Sequence, residues 1–110
     1  MKQGDIYFVN LNPAKGNEQK GIRPVVIISG NAMNDNLGIV IVMPLTTKIK
    51  NYSGCLLLKK NNTNNLPSNS EVITFQIRAI SKDRLLNRIG SISHSEIDYL
   101  KKGLQEILTY

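Results

Sequence analysis

The sequence has no tryptophan, one histidine (His94), one cysteine (Cys55) and only eight acidic residues among 110. Each scarcity removes a class of chemistry. A single cysteine cannot form a disulfide within the chain, which fits a reducing, cytoplasmic setting. Its place in the apolar run Gly54-Cys55-Leu56-Leu57-Leu58 predicts a buried thiol and not a nucleophile. One histidine, one cysteine and scattered acids offer no metal-ligand spacing, so neither metal nor other cofactor is expected. His94 falls in a helix start and reads as an exposed residue of the first turn. No Ser/His/Asp set is visible. The glycines at Gly16, Gly21, Gly30 and Gly38 match neither phosphate-cradling pattern. The longest apolar stretch, Ile39 to Leu45, falls far short of the ~20 residues of a membrane helix, and Met1-Lys2-Gln3-Gly4-Asp5 does not open like a signal peptide. No membrane role is expected.

Positive charge is what the chain has in excess. Fourteen Lys and Arg against eight Asp and Glu leave a formal net charge of +6. Most of the surplus lies in residues 1–60, where Lys2, Lys15, Lys20, Arg23, Lys48, Lys50, Lys59 and Lys60 face only Asp5, Glu18 and Asp35. That balance favours an anionic partner, whether nucleic acid, an acidic protein or a membrane surface, without establishing one. The length predicts one domain over residues 1–110 with a modest core, which association with a second copy would reinforce.

Five short β-branched or aromatic runs predict strands: Asp5–Val9, Pro24–Ser29, Ile39–Pro44, Cys55–Leu58 and Glu71–Ile77. The second and third are almost continuously apolar, as central strands covered on both faces would be. Residues 10–22 and 59–70 are polar and read as mobile surface loops. Ile97, Leu100, Leu104, Ile107 and Leu108 recur at helical spacing, and Ser93 with Glu96 forms a capping box, so a helix of about 14 residues closes the chain. A shorter helical turn is expected from Ser81. The fold class is mainly β (α+β): a small antiparallel sheet curled into a barrel with a C-terminal helix against it.

A site without metal, cysteine or histidine must work with Arg, Thr, Glu and amides. RNA cleavage suits that set, because the nucleophile is already in the substrate as the 2′-hydroxyl. The protein need only align it, move two protons and stabilise charge on the phosphorane. A guanidinium presents a planar fork of donors to phosphate oxygens.

Four blocks of the chain, in order and nearly spanning it, resemble the MazF/PemK toxin family. Gly4-Asp5-Ile6-Tyr7-Phe8-Val9-Asn10-Leu11-Asn12-Pro13 is similar to its opening. Lys15-Gly16-Asn17-Glu18-Gln19-Lys20-Gly21-Ile22-Arg23-Pro24 resembles its Gly-x-Glu-Gln-x-Gly-x-Arg-Pro motif without a gap, and is the specific block. Pro44-Leu45-Thr46-Thr47 and Gln76-Ile77-Arg78-Ala79-Ile80 resemble the third and fourth. The resemblance implies an SH3-like barrel of the toxin/plasmid-maintenance type, acting as a homodimer. It implies a type II toxin that is a metal-independent endoribonuclease. Such an enzyme cuts single-stranded RNA to a 2′,3′-cyclic phosphate and a 5′-hydroxyl, and an acidic antitoxin neutralises it.

Carried over by position, the resemblance makes Arg23 the catalytic arginine, Thr46 its partner and Glu18 an acidic residue that serves as base or only pairs with Lys15 or Lys20. Gln19, Lys20, Thr47, Lys48, Gln76 and Arg78 become RNA contacts. Arginine is a poor base and a reluctant acid, so Arg23 is expected to clamp the phosphate, and the proton transfers have no settled owner. Phe75 stands where many members carry an acid. As part of a strand run it reads first as a buried residue; the other reading is stacking on an unpaired base. Two other functions compete. A gyrase-inhibiting toxin of the same fold depends on a C-terminal Trp-Gly-Ile, whereas this chain ends Ile107-Leu108-Thr109-Tyr110. A non-catalytic nucleic-acid-binding barrel would need only scattered Lys and Arg, not the intact motif.

Overall fold

The computed structural model describes all residues, 1–110. Seven strands form one antiparallel sheet: β1 (Asp5–Asn10), β2 (Ile22–Ile27), β3 (Ile39–Thr46), β4 (Leu56–Leu58), β5 (Ser70–Val72), β6 (Arg78–Ser81) and β7 (Leu85–Ser91). Two helices complete it, α1 (Asn31–Asn36) and α2 (His94–Thr109). The hydrogen-bonded order is β4-β5-β3-β2-β1-β7, with β6 also on β3.

The central strands have the two-sided burial that their apolar continuity implies. Val25 and Ile27 join one core cluster with Val9, Leu11, Val40, Val42 and Ile80. Their neighbours Val26 and Ile28 join the other, with Met43, Leu45 and Leu58 from the sheet and Ile97 and Leu100 from α2. Alternate residues of one strand thus feed opposite faces. At α2 the capping box forms as expected. Ser93 Oγ accepts from the Glu96 N–H at 3.2 Å, and Glu96 Oε1 accepts from the Ser93 N–H at 2.8 Å. The helix then runs 16 residues.

Three sequence expectations change. Strand pairing does not close the sheet into a barrel; β4 and β7 remain its ends, and β6 pairs on one side only. The gap is bridged by the segment read as a bare surface loop. The Ser91 N–H donates to the Thr63 carbonyl at 3.1 Å, and Asn65 Nδ2 to the Ile89 carbonyl at 3.0 Å. Asn64 and Leu66 of this segment are buried. It lies so close to β7 that a Cβ at Gly90 would stand 2.3 Å from the Asn64 carbonyl oxygen. Secondly, β6, β7 and α1 were not foreseen. The helical turn expected from Ser81 is a single 3-10 turn, Lys82–Arg84, capped by Ser81, before the chain enters β7. Only Gly90 of β7 is buried and Leu86, Asn87 and Arg88 are exposed, as in an edge strand, so it carries no strong apolar pattern.

The third change shapes the site. The run Glu71–Ile77 is not one strand. β5 pairs with β3 at Leu45 and Thr46, β6 pairs with it along Ile39–Val42, and the five residues 73–77 stand against only Met43 and Pro44. The surplus chain bulges out as a 3-10 turn, Thr74–Gln76. Bulges of this kind re-aim side chains. Here the effect is to turn Phe75 and Gln76 away from the core.

Candidate active site

The β1–β2 loop meets this bulge. Its base is tied by the Leu11 N–H to the Gly21 carbonyl at 2.9 Å and by the Gly21 N–H to Asn12 Oδ1 at 3.0 Å. Within it, Glu18 Oε1 accepts from the Lys15 N–H at 2.7 Å while the Glu18 N–H returns to the Lys15 carbonyl. The partner of Glu18 is therefore the Lys15 backbone, not a lysine ammonium. Gln76 Nε2 donates to the Asn17 carbonyl at 3.2 Å and fastens the loop to the bulge. A segment expected to be mobile is thus held at both ends.

Two adjoining clefts result. The first, about 270 Å³, is lined by Glu18, Gln19, Pro44, Phe75, Gln76, Ile77 and Arg78. The second, about 380 Å³, is lined by Asn17, Gln19, Thr46, Lys48, Lys50, Tyr52, Ile73, Phe75 and Gln76. Gln19, Phe75 and Gln76 belong to both and form the divide. Seven of the ten expected residues, Glu18, Gln19, Thr46, Lys48, Phe75, Gln76 and Arg78, are thereby brought together. Lys20, Arg23 and Thr47 line neither cleft.

Arg23 nonetheless falls opposite Thr46 when the β2–β3 register is carried past its last pair. The β2–β3 pairing ends at Val25 opposite Pro44, and Arg23 and Thr46 each lie two residues further along. Arg23 Nε donates to the Lys20 carbonyl at 2.8 Å, which fixes the half-buried guanidinium. Its two terminal nitrogens have no partner within the chain, and the one ion pair in the structure is Arg88 with Asp5. The fork is free to take an anion. Thr46 is only 8% exposed. Its Oγ1 accepts from the Lys48 N–H at 3.2 Å, which leaves its own proton to donate.

The structure corrects the first reading of Phe75. It is not buried in a strand but 48% exposed on the bulge, with its ring against Tyr52. Cys55 is buried, as expected, and accepts from the Thr74 N–H. His94 opens α2 on an exposed surface. No three His, Cys, Asp or Glu side chains stand close enough to hold a metal ion. No helix is long and apolar enough to cross a membrane.

The family described as PemK-like, MazF-like toxin of type II toxin-antitoxin system matches residues 2–108. The chain belongs to that family. Among MazF relatives, Endoribonuclease MazF9 of Mycobacterium tuberculosis is 32% identical over 110 residues, covering 96% of this chain and 93% of its own. The crystal structure of MazF from Deinococcus radiodurans superposes with a TM-score of 0.85 at 22% identity, over 100% of this chain and 97% of that one, and shows the same fold. So does an endoribonuclease in complex with its cognate antitoxin from a mycobacterial species. Its TM-score is 0.80 at 21% identity, over 98% and 94% of the two chains.

Beside the residues expected from the MazF motif, two more were missed: Tyr52, which lines the larger cleft, and Glu71, which is buried beneath the loop that carries it. Tyr52 sat unremarked in a turn, Asn51-Tyr52-Ser53-Gly54. Glu71 was absorbed into a strand run, although an acid directly before Val72-Ile73 is a signal: buried there, it must find donors. It does, in the backbone of the loop that carries Tyr52.

Proposed function

We propose that residues 1–110 act as one toxin domain of a type II toxin-antitoxin pair, an endoribonuclease that cuts single-stranded RNA without a metal ion. The family match and the relative named as an endoribonuclease support the reaction class. The observation that carries the assignment to this site is Arg23: a guanidinium fixed through Nε with its terminal nitrogens free, on the strand next to that of Thr46, which lines a cleft rich in amides and cations.

In this reading the substrate's 2′-oxygen attacks the adjacent phosphorus, its proton is removed, and the bond from phosphorus to the 5′-oxygen breaks as that oxygen gains a proton. The products are a 2′,3′-cyclic phosphate and a 5′-hydroxyl. Arg23 and Thr46 donate to the non-bridging oxygens, where charge builds up. Glu18 is the only carboxylate lining either cleft, and it takes the 2′-proton with the oxygen that Lys15 does not occupy. Gln19, Lys20, Thr47, Lys48, Phe75, Gln76 and Arg78 contact the strand on either side. The chain acts as a homodimer, and an acidic antitoxin blocks the basic cleft; the structurally similar mycobacterial endoribonuclease is itself in complex with a cognate antitoxin.

The test is to incubate the purified protein with a long single-stranded RNA in EDTA and to map the new 5′ ends. Discrete cuts bearing 5′-hydroxyls are expected. A folded protein that binds the RNA and never cuts it would instead be a binding module.

A further inference from the structure

Phosphate chemistry leaves Tyr52, Lys50 and Glu71 without a role, although they are closely organised. Glu71 lies in β5 and is 1% exposed. Its Oε1 accepts from the N–H groups of Lys50 at 2.8 Å and Asn51 at 3.2 Å, and its Oε2 from that of Tyr52 at 2.8 Å. Three consecutive residues of an irregular segment are thereby fixed to the sheet by one carboxylate. Asn51 takes a left-handed backbone conformation, φ 56°, within this clasp. The outcome is the placement of Tyr52. Its ring meets Phe75 edge to face, with centroids 5.1 Å apart and planes at 85°.

Neither ring is consumed by core packing: Tyr52 is 46% and Phe75 48% exposed. In an edge-to-face pair one ring offers its face and the other only its edge, so the second ring keeps both faces for a planar partner. Both rings line the larger cleft, which also holds the Thr46 hydroxyl, two lysines and two glutamine amides. Aromatic platforms beside cationic side chains are how single strands are held, by stacking on unpaired bases and by contacts to the backbone.

We propose that Tyr52 and Phe75 form a stacking subsite for one unpaired base next to the scissile phosphate, and that Glu71 is the positioning residue that holds Tyr52 there. Lys48 and Lys50 take the phosphates flanking that base, and Gln19 and Gln76 face its edge. The inference rests on the RNA-cleavage reading and adds a determinant of where the cut falls.

The experiment uses the full chain and an oligoribonucleotide spanning a mapped cut, with 2′-deoxyribose at the scissile position so that it binds without being cleaved. 2-Aminopurine is placed in turn at each flanking position. The parent protein is expected to quench one position strongly. Tyr52→Ala and Phe75→Ala should lose that quenching and bind roughly tenfold to a hundredfold more weakly. Tyr52→Phe and Phe75→Tyr should retain both. An abasic nucleotide at the quenched position should bind the parent as weakly as the normal strand binds the alanine variants, which requires no change to the protein. Glu71→Gln should lose the quenching and raise KM while leaving kcat close to that of the parent.

Equal affinity of parent and alanine variants, or of normal and abasic strands, overturns the subsite while cleavage itself stands. The same holds if RNA affinity is unchanged but binding of the acidic antitoxin falls, since the rings would then serve that protein. A parent that neither binds nor cuts any RNA overturns the cleavage reading, and the subsite with it.

Discussion

Thr46 and Glu71, paired across β3 and β5, hold the same stretch of chain. Thr46 Oγ1 accepts the Lys48 N–H, and the Glu71 carboxylate accepts those of Lys50, Asn51 and Tyr52. A segment without regular structure, carrying both lysines of the larger cleft, is thereby anchored to the sheet at four points. The pairing links the proposed chemistry to the shape of the cleft, because Thr46 also stands at its wall.

That linkage sets the cost of removing Glu71. Glu71→Ala takes away the acceptor of three N–H groups and leaves a void under the loop. Because the loop is exposed, water can reach part of the deficit, and the loss should be about 1–3 kcal/mol. Urea unfolding checks this, and amide exchange should speed up at Lys50, Asn51 and Tyr52 ahead of the core strands. Unchanged stability and protection would mean the clasp is incidental.

Arg23 invites a conservative change. Arg23→Lys keeps the charge but loses the planar fork and the Nε bond that fixes it. Single-turnover cleavage should slow by roughly 10²–10³, the usual cost of a lost transition-state donor. Affinity for the deoxy-substituted strand should change little. A lysine variant as fast as the parent would remove Arg23 from the mechanism.

Packing predicts a third outcome, at the contact of the 52–55 segment with α2. A Cβ at Gly103 would lie 2.2 Å from the Gly54 carbonyl oxygen, backbone against backbone, so neither side can rotate away. Gly103→Ala should therefore cost about 1–3 kcal/mol or more. Gly38→Ala, with nothing within 4 Å, is the control and should be near neutral. Equal denaturation midpoints for the two variants would contradict the close approach.

Much of this architecture was legible because its causes are local. The Val25–Ile28 and Ile39–Leu45 runs are apolar on both faces, and both faces are buried along Val25–Ile28 and Val42–Leu45. The box of Ser93 and Glu96 marks the start of α2 to the residue. What was hidden depends on tertiary pairing. Leu85–Ser91 is an edge strand whose exposed polar residues carry no alternation. The asparagine-rich segment near Asn64 looks like a linker because its satisfied donors and acceptors are its own amides. Phe75 looked like a strand core residue because the break at residues 73–77 follows from where β3 accepts β5 and β6, which no local pattern records. The site was half visible for the same reason. The motif names Glu18, Gln19 and Arg23, whereas Tyr52 and Glu71 enter through contacts between residues about 20 apart.

The central claim, that the substrate supplies the nucleophile and this cleft aligns it, rests most directly on one measurement. An oligoribonucleotide containing a mapped cut is prepared with hydrogen in place of the single 2′-hydroxyl on the 5′ side of the scissile phosphate. Cleavage at that site should vanish in EDTA while the protein still binds the strand with little loss of affinity. Continued cleavage at the substituted site would contradict the account, since the attacking oxygen would then have to come from water or from the protein.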